Sequence, residues 1–343
     1  MTHNKKSNKL RYWLIGVAIF LALTIFCVWP TKYYIEAPGE TASLSQYVKL
    51  GKQSGRKNFY LVTVSERPAV MIDYLTSYLR PFDSRYTAQE LMGNSTSQEY
   101  DQMQEYYMQT SQNNAIYYAA KKAKVPVKQR YLGVYVMSIM SNSNFKNKLK
   151  VGDTVTSVNN VKFKSTQELM NYVNHLGPNS KVTLSVLRKG QKKTYTAKTV
   201  SLKGTKRSGI GISLVDRTEV VTDPKIKIDA GDIGGPSAGL MFSLECYQLF
   251  TKKTLSNQKV AGTGTIDEKG HVGIIGGIEK KVVSADKSGM KIFFAPTDQP
   301  DGVKKSDTNY EQAKQTAKKI HSKMKIVPVS NFADALNYLQ HHN

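Results

Sequence analysis

From Trp13 to Trp29 the chain reads WLIGVAIFLALTIFCVW, without one charged side chain. As a helix this stretch is about 25 Å long, close to the hydrocarbon thickness of a bilayer. Lys5, Lys6, Lys9 and Arg11 precede it, whereas Lys32 is soon followed by Glu36 and Glu40. The positive-inside rule then leaves residues 1–12 in the cytoplasm, makes 13–29 a single transmembrane span, and puts the bulk of the chain outside the cell. A cleaved signal peptide is the rival reading. Against it, the exit TIFCVWPTKYY is bulky where a cleavage site wants small residues, and Phe26 before Cys27 does not suit lipid attachment.

The other sequence properties fit an envelope location. Lys and Arg number 49 against 26 Asp and Glu, a net charge of +23, which suits an anionic envelope. The basic residues are scattered through runs such as YAAKKAKVPVKQR rather than gathered in a nucleic-acid motif, so nucleic acid is not expected as a partner. The two cysteines, Cys27 and Cys246, can build neither a disulfide framework nor a Cys-rich metal site, and no cofactor or metal is called for.

After the span, residues 36–125 read as a small α+β segment: KNFYLVTVSERPAV alternates like a strand, and TSQEYDQMQEYYMQTSQNNAIYYAAKKAK has helical character. No residue pattern there points to chemistry, and its tyrosines read as packing. Residues 126–204 change texture. Strands YLGVYVMSI and LKVGDTVTSVNNVKF, a helix STQELMNYVNHL capped by Ser165 and Glu168, and a hairpin turning at RKGQ follow one another. This order resembles a PDZ domain. The resemblance implies binding of an extended peptide at a sheet edge, with its carboxylate on a loop that here would be Tyr131–Val134, carried by Leu132, Gly133 and Val134. From about residue 205 to 343, beyond the Gly-, Lys- and Ser-rich SLKGTKRSGIGISLVD, strands and helices alternate as in an α/β or α+β domain.

Within that last domain, GDIGGPSAGL precedes LMFSLECYQLF, a run apolar on nearly every side that reads as a buried helix of about three turns. Ser237 would stand at its N-terminus, where Gly235, Pro236 and Ala238 shape the turn and unpartnered amides can cradle an anion. Taken alone, PSAG also reads as a serine that only caps its helix. A serine nucleophile needs a base. His271 falls in a hairpin turn and His321 on a lysine-rich helix, both expected at the surface, and ionised Asp229 or Asp232 is too weak a base. A desolvated lysine can serve, although bringing its pKa from about 10.4 towards 7 costs about 4 to 5 kcal/mol. On the helix IEKKVVSADKSG, Ile278, Val282 and Ala285 define the apolar face. Lys281 falls about 40° from it, and Lys280 on the far side, so Lys281 is the lysine expected to be buried. A lysine at that margin also reads as one that snorkels to solvent.

GPSAG, VAGTGTI and GIIGGIEKKVVSADKSGMKIFFAP in this order resemble the proteolytic domain of the Lon family, with its Ser–Lys dyad. The resemblance implies Ser237 as nucleophile, Lys281 as base and Thr263 as a supporting hydrogen-bonding residue. It departs at Gly234, where the family often has an acid, and at Thr265, where a TGE block is common. No GxxxxGK[ST] occurs, so the ATPase motor of full-length Lon is missing and substrate must be a peptide or an unfolded protein. The whole order, with YYIEAPG after the span, resembles the membrane-anchored, PDZ-bearing Lon-like proteases of Gram-positive bacteria, the pheromone-processing or SepM type. That resemblance implies cleavage of secreted peptides or small envelope proteins, and leaves room for a homo-oligomeric ring. The competing reading is a peptide-binding module with an inactive Lon-like scaffold. A third is a basic surface-attachment protein, which leaves the serine helix without a purpose.

Overall fold

The computed structural model describes residues 4–202, 204–205 and 207–342; the first three residues of the expected cytoplasmic tail lie outside them. Helix α1 (Asn4–Val28) runs directly into β1 (Pro30–Ser43), so the expected span belongs to a longer helix that starts within the tail. The hairpin β2 (Val48–Leu50) and β3 (Gln53–Ser54) leads to β4 (Phe59–Val70), α2 (Met71–Ser77), β5 (Ser84–Thr87), α3 (Ala88–Met92) and the long α4 (Ser97–Lys122). Next come β6 (Val127–Ile139), β7 (Thr154–Val158), α5 (Thr166–Leu176), β8 (Lys181–Arg188), β9 (Gln191–Lys198) and the short β10 (Val200–Ser201) and β11 (Ser208–Gly209). The chain closes with β12 (Ile212–Thr222), β13 (Ile226–Ile228), α6 (Gly239–Thr251), β14 (Val260–Gly262), α7 (Ile278–Lys287), β15 (Ile292–Pro296), α8 (Asn309–Lys319), β16 (Lys325–Val329) and α9 (Phe332–His341).

Two large sheets organise most of these elements, beside the small sheets β10-β11 and β13-β2-β3, and they cut across the boundaries read from the sequence. The larger has the order β16-β15-β14-β4-β1-β5, parallel from β16 to β4 and antiparallel from there to β5. Residues 36–125 therefore do not form a segment apart: β1, β4 and β5 are half of the sheet whose other half comes from beyond residue 259. Helix α4 packs on α6, and β2 pairs with β13. The short strand β14 carries only three residues and would have an unpaired edge without β4, which is why the N-terminal segment is needed to complete the domain. The stretch HVGIIGG is loop apart from a single bridge between His271 and Asn331.

The second sheet, β12-β6-β7-β8-β9, is antiparallel throughout and packs α5 against its own core of Val134, Val136, Phe145, Val158, Leu169 and Leu184. Its edge strand β12 lies beyond residue 204, the expected end of that domain. The core around α6 is separate. It gathers Phe59 and Leu61 of β4, Met108 and Ala115 of α4, Leu240, Met241, Phe242 and Leu244 of α6, and Phe332 and Leu336 of α9. Helix α6 is apolar on nearly every side because α4, the sheet and α9 cover most of it.

Candidate functional site

The turn before α6 is held open by glycine and held in place by α4. Gly231 and Gly235 adopt φ of 58° and 82°, values in the left-handed region where a side chain is strained. The Gly235 N–H donates to the Gln104 carbonyl of α4 at 3.0 Å, and the Ser111 hydroxyl donates to the Pro236 carbonyl at 2.8 Å. Ser237 lies two residues before the helix and not inside it. Its carbonyl accepts from the Gly264 N–H at 2.8 Å and from Thr263 Oγ1 at 3.0 Å, which ties the turn to the end of β14. The Ala238 carbonyl accepts the first helical bond, from Phe242 at 2.9 Å. Among the described residues no acceptor takes up the N–H of Ser237 or Ala238, the orphan donors expected at a helix start.

Lys281 reaches this turn from α7. It is 4% exposed, and its Nζ donates to Ser237 Oγ at 2.8 Å and to Thr263 Oγ1 at 3.3 Å. Burial pushes the ammonium pKa down from 10.5 to about 8, while the carboxylates of Glu36 and Glu66 pull the other way. Thr263, 1% exposed, thus bridges lysine and serine, bonded to the carbonyl of one and the amine of the other.

The neighbouring lysine departs from the sequence expectation. Lys280 is 5% exposed, with Nζ 3.0 Å from Glu36 Oε2 and 2.8 Å from Ser84 Oγ. Helix periodicity does separate the two lysines, but β1 and β5 cover the side that was expected to face solvent. The reason lies in the strand register. Glu36 of β1 and Glu66 of β4 stand directly opposite each other, a like-charge cross-strand pair that is unfavourable by itself. Two consecutive lysines of α7 approach this pair and offset it. Burial raises the Glu66 carboxyl pKa, and the Tyr100 hydroxyl donates to its Oε2 at 3.2 Å. Gly277, at φ 66°, lets α7 start this close: a Cβ there would lie 2.9 Å from Glu36 Oε1 and 2.7 Å from Val64 Cγ1.

Ser237 and Lys281 open onto a groove of about 860 Å³ between β4, α4 and the residues from Ile228 to Gly234. Glu66, Asp101, Glu105, Asp229 and Asp232 line it, and among its lining residues Lys281 is the one basic side chain. His271 and His321 are exposed, as expected, and line no part of it. Glu36, Glu66, Ser84, Tyr100 and Gln104 were missed by sequence reasoning because they belong to the segment read as devoid of chemistry. The available signal was a lone glutamate inside the otherwise uncharged strand run YYIEAPG.

The expected peptide loop Tyr131–Val134 is not a loop. It lies within β6, where Gly133 pairs with Arg217, and Val134 pairs with Asp216 on one side and Val155 on the other. A Cβ on Gly133 would meet the Val155 carbonyl at 2.5 Å, so this glycine serves close strand approach and offers no free amide row. Leu132 is exposed, but the strand it sits on has neighbours along both edges. The sheet ends in two edge strands, β12 and β9, and the edge beside α5 is that of β12. Between it and α5 runs a groove of about 330 Å³ lined by Leu169, Val173, Ile210, Ile212 and Leu214, with Ser208, Gly209 and Gly211 at its end. Near one end of α5 the Asp216 carboxylate accepts from the Thr166 N–H at 2.7 Å.

Comparison with known proteins finds two matched regions, whose bounds differ from those of the two large sheets. Residues 103–199 match the model of the PDZ domain, and residues 208–341 match that of the Lon protease (S16) C-terminal proteolytic domain. The chain is thus a mixed α/β multidomain protein that joins a PDZ domain to the proteolytic domain of a serine peptidase class, behind an N-terminal apolar helix. Lon protease of Campylobacter jejuni is 31% identical over 133 residues, 35% of this chain and 15% of that protein. Lon protease of Rickettsia bellii is 31% identical over 118 residues, 34% of this chain and 14% of that protein. The matches therefore span about a seventh of those relatives' length. A crystal structure of the PDZ domain of an SdrC-like protein from Listeria monocytogenes is 29% identical, covers 25% of this chain and 90% of its own, and has a TM-score of 0.24.

Proposed function

We propose that this protein is a membrane-anchored serine endopeptidase that cuts peptides or unfolded protein segments outside the cell without an ATP-driven motor. The observation that carries the reading is the 2.8 Å contact between the buried Lys281 Nζ and Ser237 Oγ, both of which line a groove of about 860 Å³. In its neutral form Lys281 takes the Ser237 proton as Oγ bonds to the substrate carbonyl carbon, and the developing oxyanion lies against the free amides of Ser237 and Ala238. The lysine ammonium then gives its proton to the leaving amine as the C–N bond breaks. Water enters, loses a proton to the same lysine and releases the acyl group. Thr263 holds both partners in register.

The carboxylates along the groove suit a substrate with basic side chains, and the α5–β12 groove suits a peptide end added to the β12 edge. Secreted signalling peptides of the pheromone class, or small envelope proteins, fit both. The apolar helix Leu10–Val28, none of it buried, supports a single span with the N-terminus in the cytoplasm.

The test is to incubate the full chain in nanodiscs with a pool of unfolded peptides and read the products by mass spectrometry. Ser237→Ala and Lys281→Ala should lose cleavage, while a variant of the exposed Lys287 keeps it, and basic peptides should be cut first. If the wild type binds peptides and cuts none, the peptide-binding module is the correct reading.

A further inference from the structure

We propose that the segment Met71–Arg80 is a second membrane contact, an interfacial surface that seats the proteolytic domain on the bilayer beside α1. It rests on the reading of α1 as a membrane anchor. Strand β1 begins at Pro30, immediately after α1, and Pro30 pairs with Val70, the last residue of β4. The Met71 N–H then donates to the Trp29 carbonyl at 2.9 Å. Helix α2 therefore leaves the sheet at the point where α1 enters it, and both stand at one height relative to the bilayer.

What α2 presents there is apolar. Ile72 and Leu75 recur at helical spacing on α2 and are exposed, and the turn that follows the helix adds Tyr78, exposed to 60%, and Leu79, exposed to 84%. Outside α1, the other large exposed apolar residues on the described surface, such as Val161, Val221 and Ile274, stand apart in sequence, and all are less exposed than Leu79. The flanks suit the water–lipid boundary. Tyr33 stacks on Tyr74 at 4.6 Å and Tyr74 meets Tyr78 edge-on at 5.5 Å, continuing the aromatic end of the span at Trp29. Around them stand Lys32, Arg67, Arg80 and Arg85, the last with its guanidinium 4.1 Å from the Tyr78 ring centroid. The nearby carboxylates, Asp73 and Asp83, are each paired with one of these arginines. Apolar centre, aromatic collar and basic rim are the order in which a surface meets anionic lipid. Held at two points, the domain would lose its freedom to swing on a single linker.

The experiment places an environment-sensitive fluorophore on single cysteines of the full chain, with Cys27→Ser in the background and Cys246 left buried. Labels go at Leu75→Cys, Leu79→Cys, Leu21→Cys in the span and Ile274→Cys, an exposed apolar position outside this segment. The chain is reconstituted in phosphatidylcholine and phosphatidylglycerol bilayers carrying either shallow or deep quencher lipids. We expect loss of fluorescence at positions 75 and 79 with the shallow quencher, at 21 with the deep one, and none at 274. A label at 79 that behaves like 274 while 21 is quenched overturns the proposal. So does one at 79 that is shielded from aqueous iodide but not quenched by lipid, since a protein would then cover the patch. If position 21 is itself unquenched, the anchor reading fails and this proposal with it.

Discussion

Replacing Lys281 by methionine should abolish cleavage and raise stability at the same time. A folded-state pKa of about 8 against 10.5 means that the folded protein must hold an ammonium where burial disfavours it. The depressed pKa makes the unfolded state bind more protons between pH 8 and 10.5, so this cost to stability is fully present below pH 8 and disappears as pH rises through that window. A shift of this size corresponds to about 3 kcal/mol at pH 7. Allowing about 1 kcal/mol for the hydrogen bonds lost to Ser237 and Thr263, methionine should gain about 2 kcal/mol, a rise in melting temperature on the order of 4 to 8 °C. The same shift has a catalytic face. At pH 7 about one lysine in ten is neutral, against about one in three thousand at the ordinary pKa, so burial raises the population of the active base roughly 300-fold. Wild-type kcat/KM should accordingly climb with pH through an inflection near 8. The assays are differential scanning calorimetry of Lys281→Met at pH 7 and 10 and a pH–rate profile of the wild type. A variant less stable at pH 7 than at pH 10 relative to wild type, or a profile flat across pH 8, would refute the argument.

Glu66→Gln removes one of the carboxylates that hold the Lys281 pKa up, so the rising limb of the pH–rate profile should move to lower pH. The gain at pH 7 is bounded at about tenfold, because no more than all of the lysine can be neutral. Breaking the buried pair of Glu36 and Lys280 from one side, as in Glu36→Gln, should cost about 3 to 5 kcal/mol, and the double variant Glu36→Gln/Lys280→Met should recover most of it in urea denaturation. Glu245, fully buried on α6 with Oε1 unpartnered, has its pKa raised by burial to about 8. The folded state then binds the extra proton, so stability is lost as pH rises from the ordinary carboxyl range to 8. Glu245→Gln should stabilise by about 3 kcal/mol at pH 7 and have little effect at pH 4, measured by thermal melts at both.

The sequence alone was enough for the parts that depend on local pattern. An uncharged apolar run has to find lipid or a core, and a helix apolar on nearly every side has to be buried, so Trp13–Trp29 and the helix behind Ser237 were legible without a fold. The order of blocks around GPSAG, GTG and IGG-x3-K pointed to Ser237, Thr263 and Lys281, and the structure brings those three side chains within hydrogen-bonding distance. What the sequence could not carry was partnership between distant segments. Lys280 looked solvent-facing because helical periodicity sees only its own helix, and it is buried because Glu36, some 240 residues earlier, needs a cation once β4 sets Glu66 opposite it. Tyr131–Val134 looked like a binding loop because its glycine is legible and its two strand neighbours are not. The wall of the groove comes from α4, and the strands that complete the sheet come from β1 and β4, all in a stretch that showed no chemistry of its own. Hydrophobic periodicity and turn residues act over a few positions along the chain; which strands pair, which charges meet and which helix faces are covered depend on contacts that exist only after the chain has closed on itself.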